Sequence, residues 1–367
     1  MARDDFDVIV VGAGPAGSIA ALELARKGRR VVLIEAKRFP RPKTCAGGIS
    51  PKARSGLRRL GLWDRIAPEA YEIRGIRLGA RSGRETQWIG AASAVVLNRS
   101  RLDHLLAQAA VEAGAELREG CAASALLVES GRTEGVRLAG GDVLRATWVI
   151  AANGANGRLG ADPRPRRRLQ TCMAWFRGLV FTPHVLEMYF DAEIAPHYGW
   201  LFPESDTVAN VGICLDAERL GRGSIRDVLA RFLDRHFAAR CASAEAIGRW
   251  RGFPISVSGE VRHCAPLGTL LAGEACRLVN SATGEGISYA VHSGALAAEC
   301  VDEALRRGTD PADATASYER RLRLHSELSL RAGEWFCRLG RPAIECAARV
   351  GEIPWLRHRL GQESTTP

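Results

Sequence analysis

Three glycines near the start of the chain are spaced to bind a dinucleotide. They follow an apolar run of strand type at 6–11 and precede apolar residues at helical spacing over 18–27. Gly12 permits a tight turn, Gly14 lets the backbone approach a pyrophosphate, and Gly17 lets helix and strand pack closely. The phosphates would then meet the N-terminus of the helix. The predicted phosphate-binding turn contains Gly12, Gly14, Pro15, Ala16 and Gly17.

An acidic residue follows at the distance that dinucleotide binding requires. A second strand, over 30–34, ends at Glu35, about 20 residues after the glycines. A carboxylate in this place can accept hydrogen bonds from a ribose, and its charge repels a 2′-phosphate. Glu35 and the adjoining Ala36 are therefore predicted cofactor contacts, and FAD or NAD is favoured over NADP.

Three aromatic side chains in the middle of the chain can line one wall of a cavity. In the segment 198–203, alternation along a strand places Tyr198, Trp200 and Phe202 on the same face. An ordinary aromatic core face would show the same pattern. Further apolar residues of the same region are expected to extend the wall into a tunnel, namely Trp175, Phe176, Phe181, Met188, Tyr189 and Phe190.

The composition is that of a large soluble enzyme. With 367 residues and 46% hydrophobic content, the chain can bury the cores of two or three domains. It contains no apolar stretch long enough to cross a bilayer, and its N-terminus lacks the parts of a signal peptide. None of the ten cysteines stands in a C-x-x-C pair, which favours free thiols in a reducing compartment. We expect a cytoplasmic protein with no metal site.

The formal net charge of +10 rests almost entirely on arginine. Only four of the 51 basic residues are lysines. The bias is typical of a GC-rich genome, and it is also compatible with attraction to anionic lipid or to a diphosphate-bearing substrate. Nucleic-acid binding is disfavoured, because basic residues do not alternate with exposed aromatics along any stripe.

The order of predicted elements indicates a nucleotide-binding domain interrupted by insertions. Strand-like pieces at 71–78 and 95–98, with later ones between 122 and 151, are expected to complete the nucleotide sheet and its β excursion. The proline- and arginine-rich segment 162–168 is typical of a linker. Strands dominate from 171 to 258, and long helices are predicted over 284–307 and 312–340.

From residue 5 to about 307 the sequence resembles the geranylgeranyl-reductase-like branch of the FAD-dependent oxidoreductases that share the para-hydroxybenzoate hydroxylase fold. The resemblance rests on the glycine turn, on Lys43-Thr44-Cys45-Ala46-Gly47-Gly48, on Tyr198-Gly199-Trp200-Leu201-Phe202-Pro203 and on Gly284-Glu285-Gly286. It implies an α/β fold in which a Rossmann-like FAD-binding domain (1–165 with 259–310) carries an inserted antiparallel β-sheet substrate domain (166–258). A helical C-terminal region (311–367) follows.

The resemblance also implies FAD contacts beyond the first turn. Glu274 and Asn153 stand where the family usually has aspartate, and Thr44 and Ala46 depart from its Lys-Pro-Cys-Gly-Gly loop. The glycines that open the helix at 287 would bring a positive helix end to the reduced flavin. The implied contacts are Lys43, Cys45, Ala46, Gly47, Arg99, Asn153, Gly154, Gly273, Glu274, Gly284, Glu285, Gly286 and Ile287.

The resemblance places Cys45 over the reacting face of the flavin and the aromatic strand beside it. A lone thiol cannot perform dithiol chemistry, but a weak acid at this place can shape the pocket or supply a proton. The expected catalytic residues are Cys45, Tyr198, Trp200 and Phe202. The expected reaction is reduction of C=C bonds in a polyprenyl lipid or prenylated intermediate, by hydride from flavin N5 and a delivered proton.

Other functions remain open on the same scaffold. A flavin-dependent monooxygenase would hydroxylate an aromatic small molecule or a protein tryptophan. A halogenase needs a relay lysine, and no lysine follows Lys52, which disfavours that chemistry. A non-catalytic flavoprotein is disfavoured by the ringed cavity.

Two features of the sequence indicate partners: it has no second glycine fingerprint for a nicotinamide dinucleotide, and it mixes tryptophans with arginines near its C-terminus. Because no second glycine fingerprint is present, we expect an external electron donor: NAD(P)H, a ferredoxin or a flavin reductase. Residues 331–360 mix tryptophans with arginines. Such a segment can lie on an anionic membrane at its inner face, or it can pack on its own domain or a partner subunit.

Overall fold

The computed structural model describes residues 6–80, 85–157, 159–160, 167–241, 243–261 and 265–340, with backbone alone at 80 and 85–93. In chain order the strands are β1 (Phe6–Val11), β2 (Val31–Glu35), β3 (Gly48–Ile49), β4 (Tyr71–Ala80), β5 (Glu85–Val96), β6 (Glu116–Glu119), β7 (Ala123–Glu129), β8 (Arg132–Leu138), β9 (Val143–Ala151), β10 (Arg167–Arg177), β11 (Val185–Phe190), β12 (Gly199–Pro203), β13 (Val208–Asp216), β14 (Glu245–Val257) and β15 (Thr269–Leu271). The helices are α1 (Pro15–Arg26), α2 (Pro51–Arg59), α3 (Trp63–Ile66), α4 (Arg99–Glu112), α5 (Ala217–Leu220), α6 (Ile225–Phe237), α7 (Ile287–Arg307) and α8 (Pro311–Leu339).

The first sheet has the topology expected of a nucleotide-binding domain. Its strand order is β6-β2-β1-β9-β8-β7, and β15 adds to β9. β1 runs parallel to both β2 and β9, and β2 is buried along its whole length. Continuous β-branched and aliphatic runs are typical of such strands, because helices cover both faces of a parallel sheet. The carboxyl ends of β2, β1, β9 and β15 therefore lie at one edge, where ligands bind in open α/β sheets.

The second sheet has the order β14-β10-β13-β12-β11-β4-β5-β3. Its pairs are antiparallel except that β11 runs parallel to β4. The expectation that the strands near 71–78 and 95–98 complete the nucleotide sheet is wrong, because β4 and β5 pair within this second sheet. Local sequence gave no signal for pairing across more than 100 residues. The range 1–165 thus supplies strands to both sheets.

Helices α7 and α8 pack on the nucleotide domain. The hydroxyl of Tyr318 on α8 is buried and donates a hydrogen bond to the Leu271 carbonyl at 2.7 Å. α7 packs closely along α1, where Gly294 faces the Ala16 carbonyl. The α/β fold with a second, largely antiparallel sheet and a helical C-terminal part is confirmed. The boundaries proposed for its domains stay a prediction.

Two further findings concern the described residues as a set. No helix among them combines the length and apolar character needed to cross a lipid bilayer. The cysteines within the described ranges are free thiols.

Candidate active site

The glycine turn after β1 leaves open space in front of α1. Gly12 has φ +97°, and a Cβ on it would lie 2.6 Å from the Ala152 carbonyl oxygen. A Cβ on Gly17 would overlap the Gly12 carbonyl, so this glycine lets helix and turn pack. Gly14 differs, because its nearest neighbour would be an Arg99 nitrogen at 3.9 Å. As the N-cap of α1 it provides no capping side chain, which leaves the helix end available to an anion.

The predicted ribose-binding acid lies at the end of β2 and is already well supported by hydrogen bonds. Glu35 accepts hydrogen bonds from the amides of Ala13 and Lys37, each at 3.1 Å. It also pairs with Arg41 at 3.1 Å. Ala36 lies exposed in the bend that follows. The carboxylate is thus fixed at the sheet edge beside the glycine turn.

A buried ionic network that the sequence analysis missed connects this acid to the cysteine loop. Arg41 donates to Asp103 at 3.0 Å, and Asp103 accepts two hydrogen bonds from Arg99 at 2.7 and 3.0 Å. Burial by itself lowers the pKa of Arg99, but Asp103 and the sulfur of Cys45 raise it above its ordinary value. The spacing of Arg99 and Asp103, one helical turn apart on α4, was the available signal.

The segments after β9 and β15 meet the glycine turn from the other side. Gly273 packs against Ala16, and its amide donates to Ser293 Oγ at 2.9 Å. Glu274 accepts a hydrogen bond from the Ser256 amide at 3.1 Å, so the longer acid reaches the second sheet. Asn153 Oδ1 is buried with no hydrogen-bond partner among the described residues. Beside it, Gly154 adjoins open space.

The cysteine loop lies between the two sheets. Cys45 Sγ accepts a hydrogen bond from the Gly47 amide at 3.4 Å. A Cβ on Gly48 would lie 3.1 Å from the ring of Phe202. Ala46 packs in the same apolar cluster as Trp200. The structure therefore brings the thiol and the aromatic strand together.

Lys43, in the same loop, is buried between charges of both signs. Its Nζ lies 3.3 Å from the ring centroid of Phe253, which permits a cation–π contact. Burial lowers the pKa of Lys43 below its ordinary value, against the attraction of Glu274 and together with the repulsion of Arg99. A lysine in such surroundings can release a proton more readily than an exposed one.

The three aromatic side chains of the predicted wall are neighbours. The ring centroids of Tyr198 and Trp200 are 6.3 Å apart, and those of Trp200 and Phe202 are 6.4 Å apart. Trp200 Nε1 donates to Asn210 Oδ1 at 2.7 Å, which fixes the indole. Met188 lies opposite Trp200 on the neighbouring strand.

The predicted extension of this wall is only partly correct. Trp175 packs with Trp200, and the ring of Phe190 lies 6.1 Å from that of Tyr198. The prediction is wrong for Phe176, Phe181 and Tyr189, which pack in a separate core against α6. Phe176 follows Trp175 and Tyr189 follows Met188 in a strand, and adjacent residues of a strand point to opposite faces.

The opening of α7 completes the site. Tyr198 donates its hydroxyl proton to the Thr283 carbonyl at 2.5 Å, and Gly284 lies beside that hydroxyl. Glu285 accepts a hydrogen bond from Ser50, which follows the cysteine loop. Gly286 is the N-cap of α7 and provides no capping side chain, and Ile287 is the first helical residue. Burial raises the pKa of the Tyr198 hydroxyl, with Cys214, Cys45 and Glu285 adding to the effect.

These features fit a bound dinucleotide that carries a flavin. Gly14 and Gly154 adjoin open space, Asn153 offers a buried oxygen without a partner, and two helices present uncapped N-termini. An anionic diphosphate suits the first helix end, and a ring system that accumulates negative charge suits the second.

Comparison with known proteins agrees with this geometry. The family model of the FAD binding domain matches residues 5–195, and that of the geranylgeranyl reductase catalytic domain matches residues 169–249. A protein named digeranylgeranylglycerophospholipid reductase 2 from Methanopyrus kandleri is 35% identical over 335 residues, covering 86% of this chain and 81% of its own. The chain belongs to the geranylgeranyl reductase family. It is an FAD-dependent oxidoreductase.

Other members and solved structures show how far the likeness extends. A menaquinone reductase from Mycolicibacterium smegmatis is 31% identical, covering 80% of this chain and 75% of its own. The structure of a geranylgeranyl bacteriochlorophyll reductase-like protein from Thermoplasma acidophilum superposes with a TM-score of 0.84 at 25% identity, covering 94% of this reductase-family chain and 91% of its own. A flavin-dependent brominase superposes with a TM-score of 0.82 at 20% identity, which shows a shared fold alone.

Proposed function

We propose that this enzyme uses FAD to reduce C=C bonds of a polyprenyl lipid or a prenylated intermediate. The observation that carries the proposal is the meeting of Cys45, the Tyr198–Trp200–Phe202 wall and the start of α7 at one place. Relatives named as reductases of digeranylgeranylglycerophospholipid and of menaquinone support a lipid substrate.

The residues around the nucleotide are assigned to holding the cofactor. The α1 N-terminus at Gly14 would meet the diphosphate, Glu35 a ribose, and the α7 N-terminus at Gly286 the flavin ring. Bound FAD, once reduced by the external electron donor, would supply the hydride for the reaction. We assign the other predicted contacts to FAD binding as well. Arg41 would hold Glu35 in place, and Asp103 would hold Arg99, through the ion pairs described above.

The aromatic wall is assigned to the charge that develops on the substrate. An isolated prenyl double bond accepts hydride only as positive charge grows on its more substituted carbon. Each ring at van der Waals distance can stabilise such charge by about 0.5–2 kcal/mol. The apolar cluster around Trp200 also excludes water, which would otherwise quench that charge.

We assign the handling of the proton to two side chains, Tyr198 and Cys45. The Tyr198 hydroxyl is protonated at neutral pH, its raised pKa keeps it so in more alkaline solution, and it donates its proton to the Thr283 carbonyl. Cys45 lies near both Tyr198 and Arg99. We propose that these side chains deliver or relay the proton that completes reduction.

The test of the proposed function is anaerobic incubation of the chemically reduced enzyme with lipids carrying geranylgeranyl chains, followed by mass spectrometry. We expect two hydrogens to be added per reduced bond. A reduced enzyme that leaves every prenyl lipid unchanged, yet consumes oxygen in the presence of an aromatic compound, would instead support the monooxygenase alternative.

Replacing Tyr198 with phenylalanine should lower the rate of reduction about tenfold, because one hydrogen bond and one proton donor are lost. The FAD content should not change. Tyr189→Phe is the matched control, since its hydroxyl donates to Glu187 at 2.6 Å and its ring packs in the separate core against α6. Equal rates for both variants would remove Tyr198 from the proposed machinery.

We further propose that the enzyme lies in the cytoplasm and touches an anionic membrane through its C-terminal part. Of the predicted segment 331–360, residues 341–360 lie outside the described ranges. On the described part of α8, four apolar side chains share one outward face at helical spacing. Their exposed fractions are 82% for Leu324, 83% for Leu328, 63% for Trp335 and 59% for Leu339. Arg331 and Arg338 flank them, each paired with a glutamate one turn earlier.

The double substitution Leu328→Ser with Trp335→Ser should weaken binding to phosphatidylglycerol vesicles about tenfold or more, because apolar side chains no longer enter the lipid. Point substitutions are preferred to truncation at Arg331, which would remove the buried Cys337. Val111→Ser with Val180→Ser is the control, since both valines are also exposed. Sedimentation with vesicles measures the effect, and equal pelleting of the two double variants would contradict the contact.

The electron donor is expected to be a separate molecule. NAD(P)H, a ferredoxin or a flavin reductase would each reduce the bound flavin from outside the chain.

A further inference from the structure

Two histidines stack on each other outside the candidate active site. The rings of His292 on α7 and His325 on α8 have centroids 3.5 Å apart and an interplanar angle of 16°. The Nε2 atom of His292 is buried and has no hydrogen-bond partner among the described residues. A buried ring nitrogen without a partner is costly and calls for a ligand or a function.

A lysine of α2 lies beside this histidine pair. Lys52 Nζ lies 5.0 Å from the ring centroid of Tyr289, which stands one turn before His292 on α7. The hydroxyl of Tyr289 lies 2.8 Å from Ser329 Oγ, one turn after His325 on α8. The ammonium group is therefore held beside the stacked rings.

A second cation reaches the pair from the other end of α2. A Cβ on Gly56 would lie 3.1 Å from Val291 Cγ1 and 4.0 Å from Arg59 Nη2. The guanidinium of Arg59 thus lies close to the residue that precedes His292.

The charges around the pair are predominantly positive. Burial, His325, Lys52, Arg59 and Arg321 together lower the pKa of His292 to about 4, and burial with the two α2 cations lowers that of His325. Arg321 is paired with Glu299 at 2.8 Å. Within the described ranges, Lys52 and Arg59 form no ion pair, and Arg59 donates only to Ser55 Oγ at 3.3 Å.

We propose that Lys52, Arg59, His292 and His325, called here the basic cluster, bind the phosphate group of a phosphomonoester or phosphodiester. Phosphate oxygens would accept hydrogen bonds from the ammonium and guanidinium groups and from the imidazoles. The ligand would also compensate the like charges that now repel one another.

The basic cluster is separate from the nucleotide site but close to it. His292 stands five residues beyond the first residue of α7, or about 7.5 Å along the helix. On the α2 side, Ser50 donates a hydrogen bond to Glu285 and lies two residues before Lys52. A phosphate held by the basic cluster would therefore lie next to the candidate active site. The choice of a lipid phosphate rests on the proposed function, whereas phosphate binding as such does not.

The test uses the full-length, FAD-loaded enzyme and isothermal titration with inorganic phosphate and with glycerol 3-phosphate at constant ionic strength. Lys52→Gln and Arg59→Gln should each weaken binding about tenfold, because one charge-assisted hydrogen bond is lost. Arg58→Gln is the matched control, since it makes the same charge change on α2 while its guanidinium lies near Trp63.

Vesicles distinguish the two sources of phosphate. If phosphatidylglycerol vesicles bind in competition with glycerol 3-phosphate and lose affinity in Lys52→Gln, the cluster takes a lipid headgroup. If the soluble phosphates bind and vesicle binding is the same in Lys52→Gln and Arg58→Gln, the ligand is a free phosphate compound. Either result supports the site. Phosphate affinities that are equal in all three variants, or no binding to the wild type, would overturn it. Because no turnover is measured, failure of the reductase assay leaves this outcome unaffected.

Discussion

The substitution Gly14→Ala should leave the enzyme folded while weakening FAD binding about 5- to 150-fold. The backbone at Gly14 has φ −81° and ψ −175°, which alanine adopts without strain. In the free protein the new methyl group would meet nothing closer than an Arg99 nitrogen at 3.9 Å. In the complex it would occupy the space where the diphosphate must approach the α1 N-terminus. Forcing one extra methyl into a close contact costs about 1–3 kcal/mol, which corresponds to that loss of affinity.

Flavin absorbance of the purified protein and titration of the apoprotein with FAD measure this effect. Gly140→Ala is the matched control, because it adds the same methyl group beside open space at a turn far from the site. Gly17→Ala provides the opposite comparison, since its methyl would overlap the Gly12 carbonyl and should destabilise the fold itself. If Gly14→Ala binds FAD as tightly as Gly140→Ala does, the diphosphate does not lie against this turn.

Features set by short spacing were predictable from the sequence. The strand, glycine turn and helix at 6–26 follow one another without a gap, and Gly12 and Gly17 each have a local steric reason. The face shared by Tyr198, Trp200 and Phe202 follows from alternation in one strand. The same rule should have separated Trp175 from Phe176 and Met188 from Tyr189, because neighbours in a strand point to opposite sides.

Features set by distant pairing were not predictable in this way. β4 meets β11 across more than 100 residues, and nothing in either strand specifies the other. Arg41 meets Asp103 across 62 residues. A buried arginine and a buried aspartate look like surface residues in a single sequence, since both types are usually exposed. The stacked histidines belong to the same class, because the packing of α7 on α8 decides their contact.

The substitution Asp103→Asn should lower the free energy of unfolding by about 3–5 kcal/mol, because it leaves two buried guanidinium groups without their shared carboxylate. Asp103 is fully buried, and Arg41 and Arg99 both bond to it. An asparagine keeps the shape, but it carries no charge and half of its polar end donates rather than accepts. Glu35 still compensates Arg41 in part, so Arg99 should be the group most affected.

Urea unfolding of the apoprotein measures this loss without a contribution from bound FAD. The matched control is Glu112→Gln on the same helix, whose pair with Arg65 is exposed to solvent and should contribute little to stability. A loss of stability no larger than that of Glu112→Gln would mean that water or Glu35 compensates both arginines. In that case the ionic network of Arg41, Asp103 and Arg99 would not be needed to hold the cysteine loop against α4.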